Sequence, residues 1–265
     1  MKKKLILILL VVFTITNIIA KQSYIDSLEI ILKNTIEDTN KIRILLELSK
    51  KTNDNQQNKK IKYAEIALQI AEKHNIKTSI SKSLNAISLI YISQGYYNKA
   101  LKYLQRALIE SSEIEDKTQQ KDIQSAVLIN IGNSYLYMGS YKSALEYYFK
   151  SLLIAEEIVN NSKIASACND IGNAYYYLKQ YNNAIAFYCR SIDTYKKLKK
   201  NKRVVDISIN LATIYNEIGN TAEAIKIFKE SLSICVANND KETESICLNN
   251  IGYTELNKSN FTVAL

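Results

Sequence analysis

Residues 130–152 read NIGNSYLYMGSYKSALEYYFKSL, and residues 170–192, forty positions later, read DIGNAYYYLKQYNNAIAFYCRSI. Two lines this similar at a fixed interval indicate an internal repeat. In each copy an apolar residue precedes a small one, and an aromatic residue follows three places after the small one. The copies are Ile87, Ser88 and Tyr91; Ile131, Gly132 and Tyr135; Ile171, Gly172 and Tyr175; Leu211, Ala212 and Tyr215; and Ile251 and Gly252 with Glu255 in the aromatic place.

The second half of each copy repeats as well. An alanine stands twelve residues after the small residue, and a large side chain follows four residues later. Because residues at i, i+3 and i+4 share one helix face, each copy predicts two amphipathic helices packed together. Gly95, Gly139 and Gly219 stand where the chain must leave the first helix, with Lys179 in that place in one copy. The alanines are Ala100, Ala144, Ala184, Ala224 and Ala264, and the large side chains are Leu104, Tyr148, Tyr188 and Phe228.

The composition agrees with a helical chain. Its 265 residues include no proline and only six glycines, fewer than the turns of a β-rich fold would need. The repeat resembles the tetratricopeptide repeat, whose signature is L-G-x-x-Y followed by A-x-x-x-F. A forty-residue period and a missing tryptophan match the longer-helix variant of that repeat. The resemblance implies an all-α fold, a right-handed α-solenoid of helix-turn-helix repeats in which each pair covers its neighbour.

The repeat pattern divides the chain into segments. We expect a signal peptide over residues 1–20, an N-terminal capping helix over 21–39 and a repeat array over 40–265. Because the last copy stops one turn into its second helix, we expect the native reading frame to continue past Leu265. The array contains a degenerate copy at about 40–76, copies at about 81–124, 125–164, 165–204 and 205–244, and a truncated copy at 245–265.

The first residues indicate export. Lys2, Lys3 and Lys4 precede an apolar run that closes on Ala20, which is the pattern of a secretory signal. The predicted location is therefore periplasmic, and the alternative is an uncleaved anchor in the inner membrane with the chain facing the periplasm. The start of the remaining chain also resembles exported bacterial tetratricopeptide arrays that often precede a histidine kinase or a transcription regulator.

The charge of the chain does not indicate nucleic acid. The formal net charge is +9, and the densest basic run lies within residues 196–203, where lysines suit the negative end of a helix dipole. No pattern of interleaved aromatic residues indicates base stacking, so we expect no nucleic-acid partner. Membrane contact is expected only through an uncleaved signal or through a C-terminal part beyond this sequence.

Few residues in the chain carry chemistry. His74 is the only histidine and has no second ligand nearby, so we expect no metal site and no catalytic residue. The repeat accounts for every glycine, which leaves no phosphate-binding loop, and we expect neither a cofactor nor enzymatic activity. The cysteines are Cys168, Cys189, Cys235 and Cys247. They are either buried thiols or, for Cys235 and Cys247 at neighbouring helix ends, one disulfide.

Asparagines recur just off the predicted packing face of the first helices, although asparagine is a poor helix-interior residue. The resemblance implies that these helices line a groove, where a carboxamide can both donate to and accept from an extended peptide. The alternative is that the amides bond neighbouring helices and fix the repeat geometry. The candidate peptide-binding residues are Asn85, Asn130, Asn133, Asn169, Asp170, Asn173, Asn210, Asn249 and Asn250, together with Tyr137, Tyr176 and Tyr177.

The predicted function is that of an exported scaffold that binds a peptide or protein segment in its concave groove. The alternative is a periplasmic sensor, the input region of a membrane histidine kinase or transcription regulator whose output domain lies beyond residue 265.

Overall fold

The computed structural model describes residues 22–36 and 39–263. The expected signal peptide, Ala264 and Leu265 lie outside these residues. Within them every regular element is a helix, and successive helices pair as antiparallel hairpins, which confirms the prediction of an all-α solenoid. No helix in these ranges combines the length and the apolar character that crossing a bilayer requires.

The helices are numbered in chain order. The first helix, α1, covers residues 22–34, and a 3-10 turn at Asp54–Gln56 links α2 to α3. The others are α2 (Thr39–Lys51), α3 (Gln57–Lys73), α4 (Lys77–Ser93), α5 (Tyr97–Ser112), α6 (Lys117–Tyr137), α7 (Tyr141–Glu157), α8 (Asn161–Tyr177), α9 (Tyr181–Lys197), α10 (Asn201–Glu217), α11 (Thr221–Ala237) and α12 (Lys241–Val263). From α4 onward, the first helix of each hairpin begins one or two turns ahead of the repeat boundaries expected from the sequence.

The described residues form two compact units, one up to residue 123 and the other from residue 124 onward. In the first unit α2 pairs with α3, α4 pairs with α5, and α2 also contacts α4. Helix α1 lies against the first hairpin, because its buried Ile25 packs on Ile44 and Leu48. An apolar residue of α1 thus covers side chains that would otherwise face solvent at the edge of the hairpin.

In the second unit α7 contacts α8, α8 pairs with α9, and α10 pairs with α11, which contacts α12. The core follows the repeat positions: Ala144, Ala184 and Ala224 are fully buried, as are the rings of Tyr148 and Tyr188. Small residues let the two helix backbones approach, and the large side chains fill the space beside them. The aromatic residue of the first helix is less enclosed, since Tyr135 is only half-buried and stacks on Tyr147 with 5.4 Å between ring centroids.

The turns within hairpins use the left-handed conformation expected at the glycines. Gly95, Gly139 and Gly219 have φ between 78° and 83°, and Lys179 adopts the same conformation with φ of 57°. Four links between hairpins also use it, at Asn75, Val159, Lys199 and Asn239 rather than at a glycine, and β-branched Val159 has φ of 53°. Nothing in the sequence pattern marks this position for a left-handed turn, since β-branched residues rarely adopt it.

The glycines of the repeat signature have a packing role that differs between copies. A Cβ built on Gly132 would lie 2.4 Å from the ring of Tyr148, and one on Gly172 would lie 2.6 Å from the ring of Tyr188. A Cβ built on Gly252 would meet no atom within 4 Å. The tyrosine ring therefore occupies the space of the missing side chain at the first two positions.

We expect Gly132→Ala to destabilise the chain and Gly252→Ala not to destabilise it. The first should lower the free energy of unfolding by about 1–3 kcal/mol, because the ring of Tyr148 must move. The second should leave it unchanged or raise it by up to ~1 kcal/mol, because alanine favours a helix over glycine. Urea denaturation followed by circular dichroism measures both. Equal stabilisation by the two substitutions would contradict the close contact between ring and glycine.

Candidate functional site

A pocket of about 320 Å³ lies on the first helices of the second unit. Three successive first helices, α6, α8 and α10, contribute to its lining, and α9 adds one ring from behind them. Five of the residues expected to bind a peptide meet here. The lining residues are Leu136, Tyr137, Asn173, Tyr176, Tyr177, Tyr188, Asn210 and Thr213.

The tyrosines reach this pocket because they end their helices. Tyr137 is the last residue of α6 and Tyr177 the last residue of α8, and their side chains are 60% and 52% exposed. Tyr177 stacks on Tyr141 with 5.2 Å between ring centroids and 9° between planes, so its ring is held in place by the neighbouring ring. Exposed but ordered aromatic rings are favourable anchors for a partner.

Tyr176 is held by a carboxylate of the next first helix. Its hydroxyl donates to Oε1 of Glu217, and this hydrogen bond, together with burial, raises the pKa of Tyr176 to about 12. The tyrosine therefore stays a neutral donor at physiological pH. The bond also ties the end of α8 to the end of α10, on either side of the pocket.

Asn133 and Asn173 each hold a tyrosine of the paired helix. The hydroxyl of Tyr148 donates to Asn133 Oδ1 at 2.7 Å, and the hydroxyl of Tyr188 donates to Asn173 Oδ1 at the same distance. Burial raises the pKa of both hydroxyls, which keeps them protonated as donors. These two hydrogen bonds fit the alternative in which the amides fix the repeat geometry, and they use only the oxygen atom of each amide. Asn173 also lines the pocket.

The other copies of the repeat explain why asparagine occurs at only these two places. Fifteen residues separate each asparagine from its tyrosine, and in the copies without a hydroxyl the same position is not asparagine. Leu89 precedes Leu104 by fifteen residues, and Thr213 precedes Phe228 by the same interval. Thr213 instead donates to the backbone carbonyl of Ile209 at 2.9 Å. Asparagine is therefore found at this position only in the copies whose tyrosine hydroxyl can donate a hydrogen bond to it.

The remaining candidate residues do not line this pocket. Asn130 is buried, with 8% of its surface exposed, whereas Asn249 is exposed and Asn250 is half-buried on α12. Asn169 is half-buried, and its Nδ2 donates to Asp170 Oδ1 at 3.1 Å. Asn85 belongs to the first unit and lines a separate cavity there.

Sequence reasoning missed three lining residues of the pocket, namely Leu136, Tyr188 and Thr213. A signal existed for Thr213, since it occupies the position of Asn133 and Asn173 in the next copy. The repeat spacing places Tyr188 in the hairpin core, and it carries no information that one edge of this buried ring reaches a pocket. The same signal existed for Leu136, which occupies the position of Tyr176 in the preceding copy.

Asp170 is the one carboxylate among the expected wall residues. Burial raises its pKa to about 7, against the opposing effects of the hydrogen bond from Asn169 and of the positive charge of Arg203. The same position in neighbouring copies is Asn130, Asn210 or Asn250, which are neutral. The fold thus accommodates an amide here, and a charged carboxylate costs stability because it is partly removed from water.

The four cysteines are free thiols in this structure, and Cys189 is the exposed one. Cys168, Cys235 and Cys247 are buried, and the thiols of Cys235 and Cys247 interact across α11 and α12. Burial raises the pKa of Cys247 to about 12, so this thiol is a poor nucleophile. In the described part of the chain, no group of three or more histidine, cysteine, aspartate or glutamate side chains could hold a metal ion.

Stacked helical hairpins of this kind define the class of helical repeat proteins. The sequence profiles of the tetratricopeptide repeat match residues 81–108, 124–197 and 205–235, which together make up half of the chain. The chain belongs to the tetratricopeptide repeat family. This confirms the resemblance drawn from the repeat signature, and the family's general role as a protein-binding scaffold applies. No curated protein matches the sequence.

Solved structures with the same fold share little sequence with this chain. The apo form of RapI is 20% identical, with a TM-score of 0.66 over 78% of this chain and 77% of that one. A Rap protein complexed with competence and sporulation factor is 17% identical, with a TM-score of 0.60 over 85% and 67%. A signal transduction ATPase from Pyrococcus horikoshii with a tetratricopeptide repeat sensor is 18% identical, with a TM-score of 0.65 over 92% and 40%.

We expect the Asn133 amide and the Tyr148 hydroxyl to be energetically coupled. Asn133→Ala and Tyr148→Phe should each lower the free energy of unfolding by about 0.5–1.5 kcal/mol, because a partly buried hydrogen bond is lost. The double variant should cost less than the sum of the two. The difference, about 1 kcal/mol, is the coupling energy from a double-mutant cycle measured by urea denaturation. Strict additivity would show that the bond does not stabilise the hairpin.

We expect Asp170→Asn to stabilise the chain at alkaline but not at acidic pH. Between the unfolded-state pKa near 4 and the folded-state pKa of about 7, the folded chain holds a proton that the unfolded chain has lost. Raising the pH through this window therefore destabilises the wild type. The stability advantage of the variant should grow from pH 5 to pH 8 and reach on the order of 1–3 kcal/mol. Asp193→Asn, at an exposed aspartate of α9, is the control and should show no such growth.

Proposed function

We propose that this chain is an exported scaffold that binds an extended peptide or protein segment along the groove lined by its first helices. The observation that carries the proposal is the convergence of Tyr137, Tyr176, Tyr177, Asn173 and Asn210 on one pocket. These residues come from three different helices, and Tyr137 and Tyr177 occupy equivalent positions of successive copies. The fold brings all five to one pocket.

The chemistry of the pocket suits a peptide. Tyrosine rings offer large apolar area together with a hydroxyl, at a small cost in conformational entropy. Carboxamides donate and accept at once, as the backbone of an extended peptide requires. Two of the three tyrosines are already fixed, Tyr177 by stacking on Tyr141 and Tyr176 by Glu217, so less order has to be gained on binding.

The structural relatives support a binding role. A Rap protein of the same fold forms a complex with competence and sporulation factor. We propose that this chain likewise binds its partner and catalyses no reaction. The basic and apolar start of the sequence supports a periplasmic location, with an inner-membrane anchor as the alternative.

A sensor role is the second candidate function. The observation that favours it is the likeness to a signal transduction ATPase whose tetratricopeptide repeats are described as a sensor. In this alternative the groove binds the same class of ligand, and an output domain beyond residue 265 reports the binding. The pocket residues have the same role in both proposals.

We expect Tyr137→Ala and Tyr177→Ala each to weaken peptide binding by about tenfold, because both remove an exposed aromatic anchor. Peptides selected from a phage-displayed random library on the full chain serve as probes, and fluorescence polarisation gives their dissociation constants. Tyr253→Ala is the matched control, since Tyr253 lies on first helix α12 with 61% exposure and does not line the pocket. Thermal denaturation should show that all three variants stay folded.

Two results would contradict this proposal. The first is a selection that enriches no peptide above the level found with an unrelated protein. The second is a set of selected peptides that bind Tyr137→Ala and Tyr177→Ala as tightly as they bind the wild type.

A further inference from the structure

A second and larger cavity lies entirely within the first unit. It measures about 730 Å³ and is formed by α2 and α4, the first helices of two successive hairpins, with Lys60 of α3 at its side. Apolar side chains make up much of its lining, including Ile42, Leu46, Leu89 and Ile90. Leu89 is 45% exposed, so apolar surface here is open to a partner.

Cationic side chains surround this apolar surface. Arg43, Lys50, Lys60 and Lys82 line the cavity, whereas Glu47 is the only acidic residue among the described residues that line it. Glu47 is itself engaged, because its carboxylate lies 4.0 Å from Lys51, which is not part of the lining. The cavity therefore carries a clear excess of positive charge.

Three of the cavity cations lack the ion pairs that some other cations of the same unit form. Elsewhere in the unit, Lys77 lies within 3.0 Å of both Glu110 and Glu113, and Lys59 lies 2.6 Å from Glu29. Among the residues that the structure describes, Arg43, Lys50 and Lys82 take part in no ion pair. Like charges gathered with few counter-charges repel one another, and an anionic ligand would relieve that repulsion.

We propose that this cavity binds an acidic peptide segment that also carries apolar side chains. Leucine-like side chains would cover the exposed apolar lining, and carboxylates would pair with Arg43, Lys50 and Lys82. The site is separate from the pocket of the second unit, and its ligand chemistry follows from different residues. None of the described lining residues is aromatic, which argues against a nucleic acid, since single strands bind by stacking their bases on aromatic rings.

Three fluorescein-labelled peptides of equal length test the proposal. Each has a glycine and serine background with two leucines, and four remaining positions are glutamate, glutamine or lysine. Fluorescence polarisation with the full chain should give a dissociation constant for the glutamate peptide about tenfold below that for the glutamine peptide. The lysine peptide should bind least. The preference for glutamate should shrink in about 0.5 M salt, which screens exposed charges.

Variants of the full chain locate the site. Arg43→Gln with Lys82→Gln should weaken binding of the glutamate peptide about tenfold and leave the glutamine peptide unchanged. Lys62→Gln is the matched control, because Lys62 is an exposed lysine of α3 outside the cavity, and it should bind like the wild type. Tyr137→Ala should also bind the glutamate peptide normally, which separates this site from the pocket of the second unit. Circular dichroism checks that each variant is folded.

Three outcomes would overturn the inference. Equal affinity for the glutamate and glutamine peptides would show that the charges do not select the ligand. Unchanged binding by the folded Arg43→Gln, Lys82→Gln variant would place the acidic peptide elsewhere. Tighter binding of an oligothymidylate than of the glutamate peptide would make the cavity a nucleic-acid site instead.

Discussion

In two consecutive hairpins of the second unit, the ring of a tyrosine from the second helix lies on a glycine of the first. The contact between Gly132 and Tyr148 leaves no room for a Cβ atom, so it sets how closely the two helices approach. The asparagine that follows the glycine accepts a hydrogen bond from the same tyrosine and fixes the ring along the helix. Distance and register within the hairpin thus depend on three side chains, and residues elsewhere on the first helix are positioned by them.

The pocket of the second unit depends on this hairpin geometry. Because the hairpins repeat every forty residues, residues of the first helices α6, α8 and α10 lie close enough to line one pocket. The pocket at Tyr137 and Tyr177 arises where the ends of these helices come together. Asn173 contributes both to the hairpin packing and to the pocket, since its Oδ1 accepts a hydrogen bond from Tyr188 and its side chain lines the pocket. A structural role and a binding role of the asparagines are therefore compatible at this position.

The helices and their packing residues could be predicted because spacing alone carries that information. The buried alanines and the large residues four places after them follow directly from the period of a helix. The hydrogen bond between Asn133 and Tyr148 was not predicted. Its signal was that an asparagine stands fifteen residues before the large side chain only in the two copies where that side chain is a tyrosine. The cationic cavity was missed for a different reason: Arg43 and Lys50 belong to a degenerate copy, where no register assigns them to a wall. The left-handed turn at Val159 could not be predicted, because β-branched residues rarely adopt a positive φ and no sequence motif marks the turn.

Tertiary packing fixes only some positions of each first helix and leaves the others free to carry specificity. The positions that face the second helix are restricted to small or closely fitting side chains, as Gly132 shows. The wall positions are not restricted in this way, since one of them holds an exposed tyrosine at 137 and another a lysine at 82. The same backbone can therefore present an aromatic and amide pocket in one unit and a cationic cavity in another. For this reason the likeness of fold to other repeat proteins does not identify a ligand, and any binding specificity must come from the side chains that the fold leaves exposed.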